Sequence, residues 1–254
     1  MSTLQFEKVY DRTLICLKKC CTHPSTPIDT KWAWQMGFIQ VFYTTGFVSI
    51  VYSFSMNLMK RDFSQAYNDA IFMALYLVVT YQSAVVLWYR NPLNTLIQKT
   101  EEYFSLADTL PAEHQSLVIE YAKRGRWVMR LWYFSNMTTC ALFVIKASVL
   151  TLHSLYAGDF QLFLLYDYTL PPALEAVKYR YEVFSFILGL QVFYGLCALR
   201  TSVGICPLGP IFILNACAQL ELVALEIKTI FEERSERNVA QKLVAIVKNL
   251  QNIY

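Results

Sequence analysis

Glycine and proline are scarce, eight of each in 254 residues, which excludes collagen-like repeats and the low-complexity composition of disordered chains. Histidine is scarcer still. The three present, His23, His114 and His153, fall in no HExxH or paired-ligand spacing, and no GxSxG, Walker A or GxGxxG segment occurs. Without a nucleophile elbow, a phosphate cradle or a metal-ligand pair, the sequence implies no enzyme and no cofactor. Net charge is only +3, and no lysine- or arginine-rich run is interleaved with aromatics, so nucleic acid is not an expected partner. The seven cysteines follow no disulfide framework. Cys140, Cys197, Cys206 and Cys217 lie in apolar stretches and read as small packing residues. Cys16, Cys20 and Cys21 sit beside Lys18 and Lys19, where a reduced thiol or a palmitoyl anchor would both fit. Cys20, Cys21 and His23 lack an evident fourth ligand for a metal. A cleavable signal is also missing, because Lys8, Arg12, Lys18 and Lys19 interrupt any early apolar core.

What the chain has instead is apolar length. Residues of hydrophobic type make up 56%, and the charged 16% are clustered, leaving uncharged runs able to cross a hydrocarbon core about 30 Å thick at about 1.5 Å per helical residue. The first 31 residues carry Phe6, Val9, Tyr10, Leu14 and Leu17 at helical spacing, with charges opposite. This is an amphipathic helix expected on the inner membrane surface. Pro24 and Pro27 end it. Spans follow at Trp32 to Met59, Ala70 to Tyr89 and Leu131 to Tyr156, the last broken only by Lys146. From Asn91 to Arg126 the chain turns polar at helical intervals, as helix outside the membrane does.

The stretch from Val183 to Leu220 admits two readings, since Pro207 and Pro210 lie inside it. Two crossings with a proline turn would return the tail outside. One crossing with a protruding helical extension fits better, because Asn215, Gln219, Glu221 and Glu226 recur after Arg200. The expectation is an all-α, polytopic membrane bundle of four transmembrane helices: an N-terminal segment 1–31, a bundle 32–206 and a cytoplasmic extension 207–254.

Lysines and arginines number five before the first span, then two, five, two and five in successive connections, counted outside the spans. By the positive-inside rule the N-terminus is cytoplasmic. Trp32, Trp34, Trp88, Trp127 and Trp132 cluster at the ends so assigned to the cytoplasm, where interfacial indoles belong. The sequon Asn136-Met137-Thr138 then falls inside a span, out of reach of glycosylation.

The outward halves of the spans carry aromatic and mildly polar residues: Phe72, Tyr76, His153, Phe184, Phe186 and Gln191. Such a lining suits a small apolar ligand, although ordinary helix packing uses the same residues. Lys146 lies in the outer third of its span, placed to snorkel or to meet a ligand. The loop from Asp159 to Pro172 is unusually apolar for a segment facing water. It reads as a lid over the pocket mouth or as a segment dipping into the headgroups.

The Tyr-Arg-Asn-Pro-Leu-Asn segment at Tyr89 to Asn94, the outer Leu170-Pro171-Pro172, and the run from Glu182 through Cys197 to Ala-Gln-Leu-Glu-Leu at Ala218 to Leu222 resemble insect odorant receptors along essentially the whole chain. The resemblance implies a subunit of a ligand-gated cation channel, assembled as a hetero-tetramer with the olfactory co-receptor in the plasma membrane of a sensory neuron dendrite. Its ligand would be a small hydrophobic odorant held by Phe72, Tyr76, Lys146, His153, Phe184 and Gln191. In that family further helices, including the pore-lining one, follow the point where this sequence stops at Tyr254, which implies a chain truncated before the pore. A gustatory-type chemoreceptor and a small-molecule transporter are the alternatives. No internal repeat of the kind expected in a transporter is found.

Overall fold

The computed structural model describes residues 6–107, 109–158 and 160–232, with side chains up to residue 228. Among them the secondary structure is helical: α1 Phe6–Val9, α2 Asp11–Lys19, α3 Thr30–Met59, α4 Phe63–Trp88, α5 Arg90–Ala107, α6 Ala112–Tyr156, α7 Pro172–Glu175, α8 Tyr181–Ile205 and α9 Leu208–Glu232. Four helical stretches, one of them α8 continued into α9, are long and apolar enough to cross a membrane. The result is an all-α membrane bundle.

Local chemistry sets the helix ends. Asp29 caps α3 by accepting from Trp32 N at 2.7 Å, and Asp62 caps α4 by accepting from Gln65 N at 3.1 Å, each satisfying an amide left over in a first turn. Between them the chain reverses in three residues, with Arg61 at φ +62° and Asp62 N bonded to Asn57 O at 2.9 Å. So short a turn forces α3 and α4 to lie antiparallel and side by side. Pro207, which has no amide hydrogen to continue α8, marks the break before α9.

The bundle has two layers along its length. In the outer layer, named for the end that carries the loop 160–171, α3, α4, α8 and the second half of α6 run together. In the inner layer α1, α2, α5, α9 and the first half of α6 enclose the main core: Phe6, Tyr10, Leu14, Leu17, Ile97, Phe104, Ala122, Met129, Leu208 and Ile211. Helix α6 belongs to both because its 45 residues reach about 67 Å at 1.5 Å per residue. The polar stretch before the third span and the span itself are therefore one rod.

In the stretch from Val183 to Leu220 the chain does not reverse at Pro207: α9 runs on from the end of α8 into the inner layer, where Leu222 packs with Ala107 and Val118.

Two expectations are corrected. The apolar face of the N-terminal helix does not lie on a membrane surface, because Phe6, Val9, Tyr10, Leu14 and Leu17 are buried in protein. Amphipathic spacing shows that one face is buried and is silent about what buries it. Thr13 Oγ1 donates to Val203 O at 3.4 Å, and Leu17 covers Gly204, so α2 braces the inner end of α8. Cys217 is exposed rather than packed, while Cys197 is buried and Cys140 and Cys206 are half-buried. The extension from residue 233 onward lies outside the described residues.

Candidate functional site

The outer halves of α3, α4 and α8 meet along a ladder of aromatic rings. It begins with Tyr43, Tyr76 and Tyr194, whose centroids lie 5.1 to 6.1 Å apart. One helical turn outward from Tyr76 on the same face of α4 stands Phe72. Its ring meets Phe143 of α6 at 5.8 Å and Tyr166 of the outer loop at 3.9 Å, tilted 36°. The Tyr168 ring continues the ladder 6.2 Å beyond Tyr166. These rings come from four spans and a loop, yet form one apolar wall because each helix turns its aromatic stripe to the same seam.

The loop is docked into the bundle. Leu164 and Leu170 are buried against Phe184 and Ile187 of α8. Several of its backbone polar groups are bonded by side chains of the spans, as burial requires. Gln191 donates to Tyr166 O at 2.5 Å and accepts from Tyr166 N at 3.3 Å. Gln65 donates to Asp167 O at 2.6 Å, and Ser53 Oγ accepts from Thr169 N at 2.9 Å. On the α6 side, Ser154 accepts from Gln161 N at 3.1 Å and Thr151 Oγ1 from Phe163 N at 3.2 Å. The segment, hereafter the lid, thus covers the outer end of the seam.

Beneath the lid lies a polar cluster that pattern reading passed over. Asp69, fully buried, accepts from Ser53 Oγ and Asn57 Nδ2, both at 2.8 Å, and from the Tyr166 hydroxyl. In the sequence Asp69 merely precedes the uncharged run from Ala70 to Tyr89. The available signal was Ser53 and Asn57, four apart and therefore on one face of an otherwise apolar span. Burial, then the bond to Asp69, raises the Tyr166 phenol above its ordinary range, so it is a donor at any physiological pH.

Lys178 closes the outer end. It is 2% exposed and donates to Asp167 Oδ1 at 2.5 Å, to Tyr168 O at 2.7 Å and to Glu175 Oε1 at 3.3 Å. Burial alone would push its ammonium down, but the Asp167 and Glu175 carboxylates outweigh that and hold it above the usual lysine value. Burial likewise pushes the neighbouring Tyr168 up to about 12.

Four of the six expected ligand residues, Phe72, Tyr76, Phe184 and Gln191, converge on this seam and its lid. Lys146 and His153 do not join them. Both are exposed on α6, because the inward stripe of that helix is Phe143, Ala147, Thr151 and Ser154. One residue earlier is about 100° further round. Phe186 is also exposed, at 66%. An open groove of about 370 Å³ lies beside the wall rather than in it, lined by Tyr52, Met56, Lys60, Thr169, Leu170, Pro172, Glu175 and Ala176. Aromatic faces and a buried acceptor coincide at the wall, which makes it the candidate site. As for metals, no group of three His, Cys, Asp or Glu side chains stands together among the described residues.

Residues 62–254 match the family described as 7tm Odorant receptor. No curated protein and no solved structure matches the chain.

Proposed function

We propose, from the premise that this chain belongs to the 7tm Odorant receptor family, that it takes small volatile organic ligands at the aromatic seam beneath the loop 160–171. The observation that carries this is the convergence of Phe72, Tyr166 and Gln191 with the buried Asp69. It supplies an apolar wall, a few fixed polar groups and a cover, the usual composition of a small-molecule site. The lid faces outward when the loop charges orient the bundle with its N-terminus in the cytoplasm, so ligand arrives from outside the cell. Assembly with the olfactory co-receptor in the plasma membrane, and gating of a cation path by that assembly, complete the reading. Binding under the lid would be transmitted along α8, whose inner end is held by α2. Lys146 and His153 belong in this scheme only as residues of an outer rim.

The test is odorant-evoked current from the chain co-expressed with the co-receptor, against co-receptor alone, over a panel of alcohols, phenols, ketones and esters. A ligand-dependent current above the control supports the reading. Surface expression of both chains with responses identical to co-receptor alone would sink it.

A further inference from the structure

The side chain of Tyr166 is, chemically, a 4-methylphenol tethered to the lid. Its ring lies on Phe72 at 3.9 Å and its hydroxyl donates to Asp69, while Gln191 holds its backbone on both sides. The groups under it are already committed. Ser53 Oγ donates to Asp69 and accepts from Thr169 N and from Asn57 Nδ2. Asn57 Nδ2 divides its two hydrogens between Asp69 and Ser53, and Asn57 Oδ1 accepts from Thr169 Oγ1 at 3.1 Å. Every donor in the cluster therefore points at another member of it, and the one group turned toward the Tyr166 position is an acceptor, Asp69 Oδ1.

From this geometry we propose that the place occupied by Tyr166 is a ligand subsite for phenol-type molecules carrying a small 4-alkyl group, which enter by displacing the tyrosine. This rests on the reading of the seam as a ligand site and narrows the ligand class. A ligand seated there must bring a flat ring for Phe72 and a hydroxyl that donates to Asp69. A ketone, ester or ether of the same shape would set an acceptor against an acceptor and leave a buried carboxyl oxygen without its hydrogen bond, which is costly. Tyr166 is then a built-in competitor at high effective concentration. It is only half-buried, unlike the wholly buried Asp69, so the ring is the element of the cluster placed to leave.

The experiment uses the full chain in lipid nanodiscs, with empty nanodiscs as blank, and follows 4-ethylphenol, 4-ethylanisole and ethylbenzene by saturation-transfer NMR. Wild type should bind 4-ethylphenol about tenfold or more tightly than the other two, as expected for a hydrogen bond to a buried carboxyl group. Tyr166→Ala removes the competitor and should tighten 4-ethylphenol further. Tyr166→Phe, which keeps the ring and loses only the bond to Asp69, should tighten it less. Asp69→Asn should erase the preference for phenol over anisole, with circular dichroism confirming retained helix. If Tyr166→Ala weakens phenol binding, or if phenol and anisole bind alike, the subsite is wrong. In that case binding that still responds to Phe184→Ala leaves the seam standing as the site. Binding of no aromatic ligand in wild type and in Tyr166→Ala overturns both.

Discussion

Gly46 of α3 and Tyr194 of α8 touch with no room for a side chain between them. An ideal Cβ on Gly46 would stand 2.6 Å from Cζ of the Tyr194 ring and 2.6 Å from the Tyr76 hydroxyl. Tyr194 is not free to retreat, since its own hydroxyl donates to Phe42 O at 2.6 Å, one turn earlier on α3. The glycine thus sets how closely the two spans approach and where the inner end of the aromatic ladder begins, as small residues do at seams between membrane helices.

Gly46→Ala is accordingly expected to destabilise the bundle by about 1–3 kcal/mol through overpacking. Adding Tyr76→Phe, which removes the clashing Tyr76 hydroxyl but leaves the Tyr194 ring in place, should restore part of the loss. Gly195→Ala is the control, because nothing lies within 4 Å of a Cβ built there. It should be neutral or slightly stabilising, by up to about 1 kcal/mol from helix propensity. Thermal unfolding of the detergent-purified variants measures all three, and equal melting of Gly46→Ala and Gly195→Ala would contradict the close approach.

Position on the helix, not residue type, should separate the six expected ligand residues. Tyr76→Ala and Phe184→Ala are predicted to change the rank order of odorant responses with surface expression near wild type. Lys146→Ala and His153→Ala, exposed on α6, should leave the order as it was. Dose–response curves over one ligand panel decide it. Uniform loss of response and of expression in the first pair would mean packing damage instead of lost ligand contact.

Lys178 should act as the pin of the lid. Lys178→Met keeps the buried stem but leaves Tyr168 O without its 2.7 Å donor, which should loosen residues 164–170 by about 1–3 kcal/mol. Hydrogen exchange at those amides is expected to quicken by one to two orders of magnitude, about 1.4 kcal/mol for each. Asp167→Ala should do much less, because that side chain is 65% exposed and its ion pair is screened. Unchanged exchange in Lys178→Met would show that the lid is held elsewhere.

At the inner end, His23 predicts a loss of stability in mild acid. Its ring is buried, and Nδ1 accepts from Ser25 N at 3.2 Å. Burial, then the charge of Lys18, lowers its pKa below the ordinary 6.5. A histidine depressed in the folded state binds fewer protons than in the unfolded state. Its contribution is complete above about pH 6.5 and is lost as pH falls toward the folded value, with a slope of at most about 1.4 kcal/mol per pH unit. His23→Asn, whose amide oxygen can take the place of Nδ1 as acceptor, should flatten that part of the melting profile. An identical acid limb in the variant would assign the effect to other groups.

The sequence by itself determined the order and position of the long apolar runs and their helical character. In hydrocarbon a backbone has no water to bond, so an uncharged run of about 20 residues or more is nearly bound to be a helix that crosses. It also determined that Phe6, Tyr10, Leu14 and Leu17 form a face needing cover, since spacing of that kind follows from the helical repeat alone. What covers a face depends on distant parts of the chain. Only the tertiary structure decided that α5, α6 and α9 bury the N-terminal helix, that α9 continues inward past Pro207, and that Phe72, Tyr76, Phe184 and Gln191 share a seam while Lys146 and His153 do not. The Asp69 cluster belongs to the same class. Its members are 53, 57, 69, 166 and 169 in the chain, and no local period links a loop tyrosine to an aspartate 97 residues away. A helical repeat is local and readable, whereas a hydrogen bond between a loop and two spans exists only once the spans have packed.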